Sequence, residues 1–359
     1  MSSLFFELLQ ISLGHKSKFS QTPTEEEWRE LYHLSRKQAL IGIAFSGIER
    51  LPDNQRPPKP ILLQWIVTTE RIKEINAKLD KKAISISQKF CNDGFRNVIL
   101  KGQGVAQYYK LDSLDKFRTP GDVDIWFDGS RKEIINYVRD VMPDAKIVYH
   151  HIDFPKIDDV EVEVHFTPSW MNCYFTNRKL QYYFNQSRIE LFQINANSSS
   201  DIPVPTLEFN RVYILVHIYR HLFHEGIGLR QLMDYYYVLR QGFTEEEREQ
   251  TMYVLWTLKM KRFTSAVMWV LQEVFGMEED YMLTKPNEKE GRFLLNEVMR
   301  SGNFGQYDES MLRKSMESDL SYAIRKIRRN LRFVRSYSSE VLWSPLFKIW
   351  HFFWRKHVN

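Results

Sequence analysis

Two aspartates separated by one residue follow a glycine turn near the middle of the chain, where Gly121 precedes Asp122 and Asp124. Positions 123, 125 and 127 are apolar and share one face of a predicted strand, so both carboxylates point to the other face. Carboxylates and substrate phosphates supply the oxygen ligands that Mg²⁺ prefers. The pair therefore predicts a site for one or two divalent ions, which would bridge phosphates and activate an attacking hydroxyl. The alternative is a solvated strand edge, because this spacing also arises by chance.

A third carboxylate lies on a later predicted strand, 160–166. Valines at positions 160, 162 and 164 alternate there with Glu161, Glu163 and His165, which therefore face away from the core. Glu163 is predicted to supply a third metal ligand, and Glu161 competes for that role. His165 either orients the carboxylate or the substrate, or it is a satisfied strand histidine.

A candidate phosphate turn lies upstream of the aspartates. The apolar run 98–100 ends in Lys101-Gly102-Gln103-Gly104, and a helix-like stretch follows from position 105. A glycine-bearing turn between strand and helix gathers backbone N–H groups and a helix N-terminus at one point, which predicts an anion site. Lys101 adds a cation there, and Arg118 is a second candidate phosphate contact. The alternative for each is a salt bridge to Asp122, Asp124 or a surface acid.

The elements that must position these residues are a small sheet and two helical regions. Strands and helices alternate between positions 93 and 200, and segments 146–152 and 160–166 are expected to form a hairpin. The prediction is an α+β fold with a small mixed-sheet core at 93–200. An N-terminal helical region, 1–92, and a C-terminal helical region, 201–359, are expected to flank it. A polar loop is predicted at 195–201.

Several motifs follow one another in a fixed order along the chain. They are Leu100-Lys101-Gly102, Ala106, Tyr109, Arg118, Gly121-Asp122-Val123-Asp124 and Glu163-Val164-His165. In this combination the chain resembles the bacterial "uncharacterised nucleotidyltransferase" family of the polymerase-beta-type nucleotidyltransferase superfamily. The resemblance covers residues 30–240, with its specific motifs between 98 and 166.

The resemblance implies that a nucleoside monophosphate is transferred from an NTP, such as ATP, to a hydroxyl acceptor, with release of pyrophosphate. It implies Mg²⁺ or Mn²⁺ as cofactor, bound by Asp122, Asp124 and Glu163, and Glu163 would also act as general base. The residues implied in nucleotide binding are Lys101, Gly102, Gln103, Gly104, Arg118 and Gly121. The acceptor is left open among a small molecule, a sugar, a protein side chain and an RNA end.

One position departs from the superfamily pattern. Gly or Ser usually follows the first glycine of the phosphate turn, and this chain has Gln103, so a serine hydroxyl contact to phosphate is lost or replaced by the amide. The departure favours an alternative, a catalytically inactive nucleotidyltransferase fold that serves as a binding or regulatory module. The carboxylate trio favours an active enzyme, because an inactive site does not need to keep three acids together.

A predicted helical stretch, 211–241, carries further polar residues. His217 and His221 are four apart and share a face, yet no acidic ligand accompanies them, so they are expected to line or support the cleft rather than to bind zinc. Arg230 and Asp234 have the same spacing. They form either an intrahelical ion pair or a cleft wall that contacts the nucleotide or the acceptor.

Composition limits the classes of protein further. The chain has 359 residues, a net charge of +5 and a mean hydropathy of −0.43, and no run of eighteen apolar residues predicts a spanning helix. The apolar segment 1–13 contains Glu7 and no basic start, so it predicts a helix rather than a signal peptide. Two cysteines favour a reducing, cytoplasmic location. The small positive charge gives weak support to nucleic-acid binding.

The C-terminal segment is both aromatic and basic. Trp343, Phe347, Trp350, Phe353 and other apolar residues are interleaved there with lysine and arginine. Such a helix could lie on an anionic membrane surface, on the inner face of the membrane, or bind a partner or nucleic acid. The alternative is a helix docked on the core with its aromatic side chains buried.

Overall fold

The structure, a computed structural model, describes residues 2–194, 202–310 and 317–358, and the predicted polar loop at 195–201 lies outside these ranges. Helices surround one small sheet, so the predicted α+β class is confirmed. The strands are β1 (Asn97–Ile99), β2 (Val123–Phe127), β3 (His151–Ile157) and β4 (Val160–His165). The helices are α1 (Ser2–Ser12), α2 (Glu25–Lys37), α3 (Ile41–Arg50), α4 (Lys59–Asn92), α5 (Gln103–Ala106), α6 (Arg131–Val141), α7 (Tyr174–Ile194), α8 (Leu207–His224), α9 (Leu229–Arg240), α10 (Glu245–Thr257), α11 (Lys261–Phe275), α12 (Glu288–Ser301), α13 (Asp319–Leu331) and α14 (Ser338–Val358).

The sheet has the strand order β1-β2-β4-β3. Strands β2 and β4 are parallel neighbours, and helix α6 lies in the connection between them, whereas β1 and β3 run antiparallel to their partners. In the parallel pair, Asp124 lies opposite Glu163. The topology therefore brings two of the predicted metal ligands together in the centre of the sheet, although 39 positions separate them in the numbering.

Strands β3 and β4 form the predicted hairpin, but β3 begins later in the sequence than the predicted first strand. Strand β3 covers His151–Ile157 rather than 146–152, and only an isolated bridge between Ile147 and Ile152 involves the earlier stretch. The reason is the turn. Asp158 and Asp159 both have positive φ values, 48° and 70°, and form a two-residue connection directly before Val160. Such a tight turn twists as the flanking strands do, so the strand extends up to it.

Two apolar cores hold the molecule together. The smaller one packs α4 and α6 against the sheet, with Phe90, Ile125 and Val164 at its centre. The larger one joins the N-terminal helices α1 and α3 to α8, α9 and α11. The two ends of the chain thus share one core, and the three-region division at 92/93 and 200/201 stays a prediction. Within the described ranges, no helix combines the length and hydropathy needed to cross a bilayer.

Helix α14 is anchored through a buried acid in its first turn. The carboxylate of Glu340 is 1% exposed and accepts hydrogen bonds from the backbone N–H groups of Asn172, at 2.7 Å, and Cys173, at 3.2 Å. Burial raises the pKa of Glu340 to about 7, although these N–H groups lower it. The folded protein therefore favours the neutral carboxyl group.

We predict a pH-dependent stability that Glu340 controls. Between about pH 4.5 and 7 the unfolded chain ionises this carboxyl first, so it binds fewer protons than the folded chain, and stability falls as pH rises. The whole loss is at most about 3 kcal/mol. Urea unfolding of the wild type across this window should show the fall, and Glu340→Gln should show a flatter profile. Equal slopes in the two proteins would contradict the prediction.

Candidate active site

The carboxylate of Asp124 lies at the centre of the site and has no exposed surface. Its Oδ1 atom forms an ion pair with Lys101 Nζ, at 3.0 Å, and accepts a hydrogen bond from His165 Nε2, at 2.9 Å. Its Oδ2 atom has no hydrogen-bond partner among the described residues. A buried carboxylate oxygen without a partner costs about 1–3 kcal/mol, or more when charged, so this atom is suited to bind a ligand that the protein itself does not supply.

Glu163 is held in its charged form beside Asp124. Its Oε2 atom lies 3.1 Å from His151 Nδ1 and 3.5 Å from His165 Nε2. Burial alone would raise the pKa of Glu163, but the hydrogen bond from His165 and the positive charges of its neighbours lower it to about 2. A carboxylate of such low basicity suits metal ligation and is a weak proton acceptor. Its predicted competitor, Glu161, is exposed and pairs with Lys156 at 2.8 Å, away from the site.

The donor set fits a divalent cation. One ligand atom each from Asp124, Glu163 and His165 lies within 4.8 Å of the others, and the unpartnered Oδ2 atom of Asp124 adds an oxygen. Asp122, also predicted as a ligand, is half-buried and lines the adjacent cavity, but it belongs to no such group in the described part of the chain. His165 thus lies close enough to Asp124 and Glu163 to offer a ligand atom, whereas the sequence predicted an orienting or a structural role for it.

Two further histidines lie at the site that the sequence patterns did not predict. His151 begins β3 and His150 directly precedes it, and together with His165 they form a second, overlapping group of possible ligand atoms. Arg220 on α8 donates to His150 Nε2 at 2.8 Å. The correct hairpin register would have revealed them, because it pairs His151 with His165. A first strand at 146–152 does not give this pairing.

The phosphate turn has the expected backbone but different side-chain directions. Gly102 has a φ of +58°, and a Cβ atom there would lie 3.0 Å from the carbonyl oxygen of Asp122, so glycine permits the two loops to approach. Gln103 donates from Nε2 to Asp80 on α4, at 2.6 Å, and does not line the cavity. A Cβ atom on Gly104 would lie 2.4 Å from the Ile99 carbonyl oxygen, so this glycine is required for packing.

The helix that follows the turn is short. Helix α5 spans four residues, Gln103–Ala106, before 3₁₀ turns take over. A single turn aligns few peptide dipoles, so the helix N-terminus contributes less to anion binding than the sequence predicted. The positive charge for a phosphate must come mainly from side chains.

Arg118, a predicted phosphate contact, lines the cavity and forms a buried ion pair with Asp234 on α9, so its contact with a phosphate stays a prediction. Its Nε and Nη2 atoms donate to the two carboxylate oxygens at 2.7 and 2.8 Å, and Tyr109 donates to the same carboxylate at 2.7 Å. Arg118 and Asp234 are 3% and 6% exposed. The pair fastens the loop before β2 to α9, and it replaces the intrahelical pair between Arg230 and Asp234 that the spacing suggested.

Arg230 is a cation at the cavity with no acidic partner in the described part of the chain. Its Nη1 atom donates to the carbonyl oxygens of Thr119, at 3.1 Å, and Pro120, at 3.5 Å, and its guanidinium lies 5.3 Å from the ring of Phe304. It is 8% exposed, and its Nε atom is unpartnered. No carboxylate of the described residues lies within 4.0 Å of it. A buried guanidinium in this state is suited to receive an anion.

The cavity that Lys101, Asp122 and Arg230 line is small. Its volume is about 30 Å³, enough for about two water molecules, so a nucleotide enters only if the walls move. It is lined by Lys101, Gly102, Arg118, Gly121, Asp122, Ile214, His217, Ile218, Arg230, Gln231, Asp234 and Phe304. Burial would lower the pKa of Lys101, but the three carboxylates around it raise it above its usual value, so the ammonium group keeps its charge.

The helix histidines have separate partners. His217 lines the cavity, His221 lies between Arg220, at 2.7 Å, and Glu225, at 2.9 Å, and His224 contacts Asn172 at 3.1 Å. Among the described residues they form no group of possible metal ligands. They line or support the site.

The fold and the site define a class of protein in which acidic residues on neighbouring strands of a small mixed sheet face a glycine turn and basic side chains. The chain belongs to the family described as "Uncharacterised nucleotidyltransferase", whose model matches residues 24–276. The predicted family is thereby confirmed, and membership supports a role in nucleotidyl transfer and implies a nucleotide substrate. No curated protein and no solved structure matches the chain.

We predict that Asp234→Ala destabilises the fold by about 3–5 kcal/mol, because it leaves the Arg118 guanidinium buried without a counter-charge. Urea unfolding measures the loss. The double variant Arg118→Met/Asp234→Leu removes both charges and is expected to be less destabilised than Asp234→Ala. If the double variant loses as much stability as Arg118→Met and Asp234→Leu lose together as single variants, the ion pair has no coupling energy.

Proposed function

We propose that the protein is a metal-dependent enzyme that transfers a nucleoside monophosphate from an NTP to a hydroxyl acceptor and releases pyrophosphate. The observation that carries the proposal is the parallel pairing of Asp124 with Glu163, with an unpartnered carboxylate oxygen buried between two strands. Family membership supports the same reaction class. The acceptor belongs to the hydroxyl compounds: a small molecule, a sugar, a protein side chain or an RNA end.

Asp124 and Glu163 would bind the cofactor, Mg²⁺ or Mn²⁺, with His165 nearby and Asp122 on the cavity side. When bound, such an ion neutralises charge on the phosphates and promotes ionisation of the acceptor hydroxyl. Glu163 serves better as a ligand than as the general base that the resemblance implied, because a pKa of about 2 makes it a weak proton acceptor.

The phosphates would be held by side chains whose charge is available at the cavity. Lys101 now pairs with Asp124 and can turn to a phosphate when a metal ion takes over the carboxylate. Arg230 has an unpartnered N–H group and, among the described residues, no carboxylate within 4.0 Å. Arg118 would act indirectly, because its ion pair with Asp234 fixes the position of the loop that carries Asp122. Gly102 and Gly121 allow the phosphates to approach the backbone.

The second candidate is an inactive fold that serves as a binding or regulatory module. Two observations favour it: the cavity is too small for a nucleotide as it stands, and Lys101 already forms an ion pair with the carboxylate of Asp124. Gln103 no longer does, since its side chain points to Asp80 on α4 and leaves the cavity side of the turn to Gly102. Nucleotide binding and its dependence on metal separate the two candidates.

We predict that an NTP with Mg²⁺ raises the stability of the wild type, by about 2.7 kcal/mol at one hundred times its Kd. Thermal unfolding with each NTP, in Mg²⁺ or in EDTA, measures the effect. It should disappear in EDTA and in Asp122→Asn/Asp124→Asn, and persist in the exposed control Asp144→Asn. Because Asp124 is buried, Asp122→Asn alone is included as a milder variant. If no NTP changes the stability of well-folded wild type, the inactive binding module is the better description.

We predict that Arg230→Gln weakens binding of a non-hydrolysable NTP about 10- to 100-fold, because charge-assisted hydrogen bonds to phosphate contribute about 1.5–3 kcal/mol. Isothermal titration calorimetry of variants with wild-type thermal stability measures the change. The matched control is Arg240→Gln on the same helix, whose side chain contacts Tyr236 at 2.8 Å outside the cavity. Equal affinities of Arg230→Gln and wild type would remove Arg230 from the phosphate site.

A further inference from the structure

Helix α14 carries a stripe of exposed apolar side chains. Leu342, Leu346, Ile349 and Phe353 recur at helical spacing on one side and are 56–62% exposed, and Phe352, beside them, is 48% exposed. The opposite side of the helix carries the buried anchor Glu340 described above. Monomeric soluble proteins rarely expose an apolar patch of this extent without a function for it.

Helices α7 and α10 extend the exposed surface. Tyr174, Phe175 and Tyr182 on α7 are 57–67% exposed, as are Tyr253 and Trp256 on α10. A groove of about 690 Å³ runs between the two helices. The Phe175 ring meets that of Trp343 edge-on, with centroids 5.7 Å apart, so α7 and α14 form one continuous aromatic surface.

A basic cleft adjoins this surface. Its volume is about 880 Å³, and five of its lining residues are cations, whereas none of the described ones is acidic. The lining residues are Trp256, Thr257, Ser265, Asn287, Ser336, Ser338, Lys179, Lys259, Lys261, Arg262 and Arg335. Of these five cations, only Arg262 has a described carboxylate within 4.0 Å, that of Glu290 at 3.8 Å. Lys179 and Thr257 line both the cleft and the aromatic groove.

We propose that this face, formed by α14, α7, α10 and the basic cleft and here called the lipid-binding face, binds the surface of an anionic lipid bilayer. Aliphatic and aromatic side chains of the stripe would enter the boundary between headgroups and acyl chains, where Trp and Tyr are favoured. The cleft would contact the headgroup phosphates, since basic residues at an anionic bilayer each contribute about 1 kcal/mol. The adjacency of an apolar stripe and a basic cleft, linked through α7, carries the inference.

Other occupants fit the face less well. A second copy of the chain packed on the stripe would cover the apolar side chains, but the same surface offers no acidic residue among the described cleft-lining residues to pair with the cations. A nucleic acid would use the cations and the aromatic rings but leaves the aliphatic residues Leu342, Leu346 and Ile349 unexplained. The cavity at Asp122 and Arg230 shares no lining residue with this face, so lipid binding does not depend on the proposed reaction.

Co-sedimentation of the full chain with vesicles tests the proposal. The vesicles contain phosphatidylcholine alone or phosphatidylcholine with about 30% phosphatidylglycerol, a composition in which anionic lipid adds an electrostatic attraction. We expect the wild type to partition at least about tenfold more strongly to the anionic vesicles, and added salt to weaken this preference. Tryptophan emission should shift to shorter wavelength as the exposed indoles leave water.

Two variants separate the features of the face. Leu346→Glu/Phe353→Glu should abolish vesicle binding, whereas the control Leu63→Glu/Val67→Glu, an equally exposed pair (59% and 68%) on α4, should bind as the wild type does. Lys259→Glu/Lys261→Glu should lose the preference for anionic vesicles. Circular dichroism and thermal unfolding confirm that each variant is folded.

Three outcomes would overturn the proposal. They are a wild type that stays in the supernatant with anionic vesicles, equal binding by the α14 variant and its control, and a dimer in light scattering that the α14 variant dissociates while no vesicle binding occurs. The last result would make the face an interface between copies of the chain. None of them would affect nucleotide binding, so failure here is distinguishable from failure of the proposed function.

Discussion

The carboxylate of Asp124 has no exposed surface, and a buried negative charge is stable only where positive charge and hydrogen bonds surround it. Lys101 reaches it from the turn after β1, and His165 reaches it from the neighbouring strand β4. The conformation of the turn, with Gly102 in a left-handed conformation, therefore matters to the sheet as well as to any substrate. The site is organised around the compensation of this one charge.

Two further buried arginines connect the sheet region to the helices. Arg118 precedes β2 and finds its carboxylate, Asp234, on α9. Arg220 on α8 lies between His150 and His221 and stacks on the ring of Trp170 at 4.0 Å. Since these contacts are buried, they require the sheet and the C-terminal helices to pack in one arrangement. The same packing explains why the cavity is narrow in this structure.

Local periodicity was enough to predict that Asp124 and Glu163 face away from the core, and the pairing of β2 with β4 brings them together. The alternation of apolar residues with acids predicted which way Asp124 and Glu163 face. The order of the motifs along the chain predicted the family. The partners of Arg118 and Gln103 could not be predicted in this way. Arg118 pairs with a residue 116 positions away, and Gln103 turns to a helix 23 positions upstream. Such choices depend on which elements pack together, and the spacing of residues along a strand or helix carries no information about that. The late start of β3 has a different cause, since it follows from a turn of two aspartates with positive φ, which the sequence pattern did not reveal.

The ion pair between Arg118 and Asp234 also bears on how such a site can be inherited. The stretch 93–200 contains the glycine turn, the aspartates and Glu163, yet it lacks Asp234 and Arg220. Transplanted alone into another protein, it would carry a buried arginine without its acid and histidines without the guanidinium that orients them. The sheet therefore cannot keep the structure of its site when it is separated from these helices. Recombination that preserves the site has to move the sheet and helices α8 and α9 together, so the unit of descent is longer than the stretch that carries the recognisable motifs.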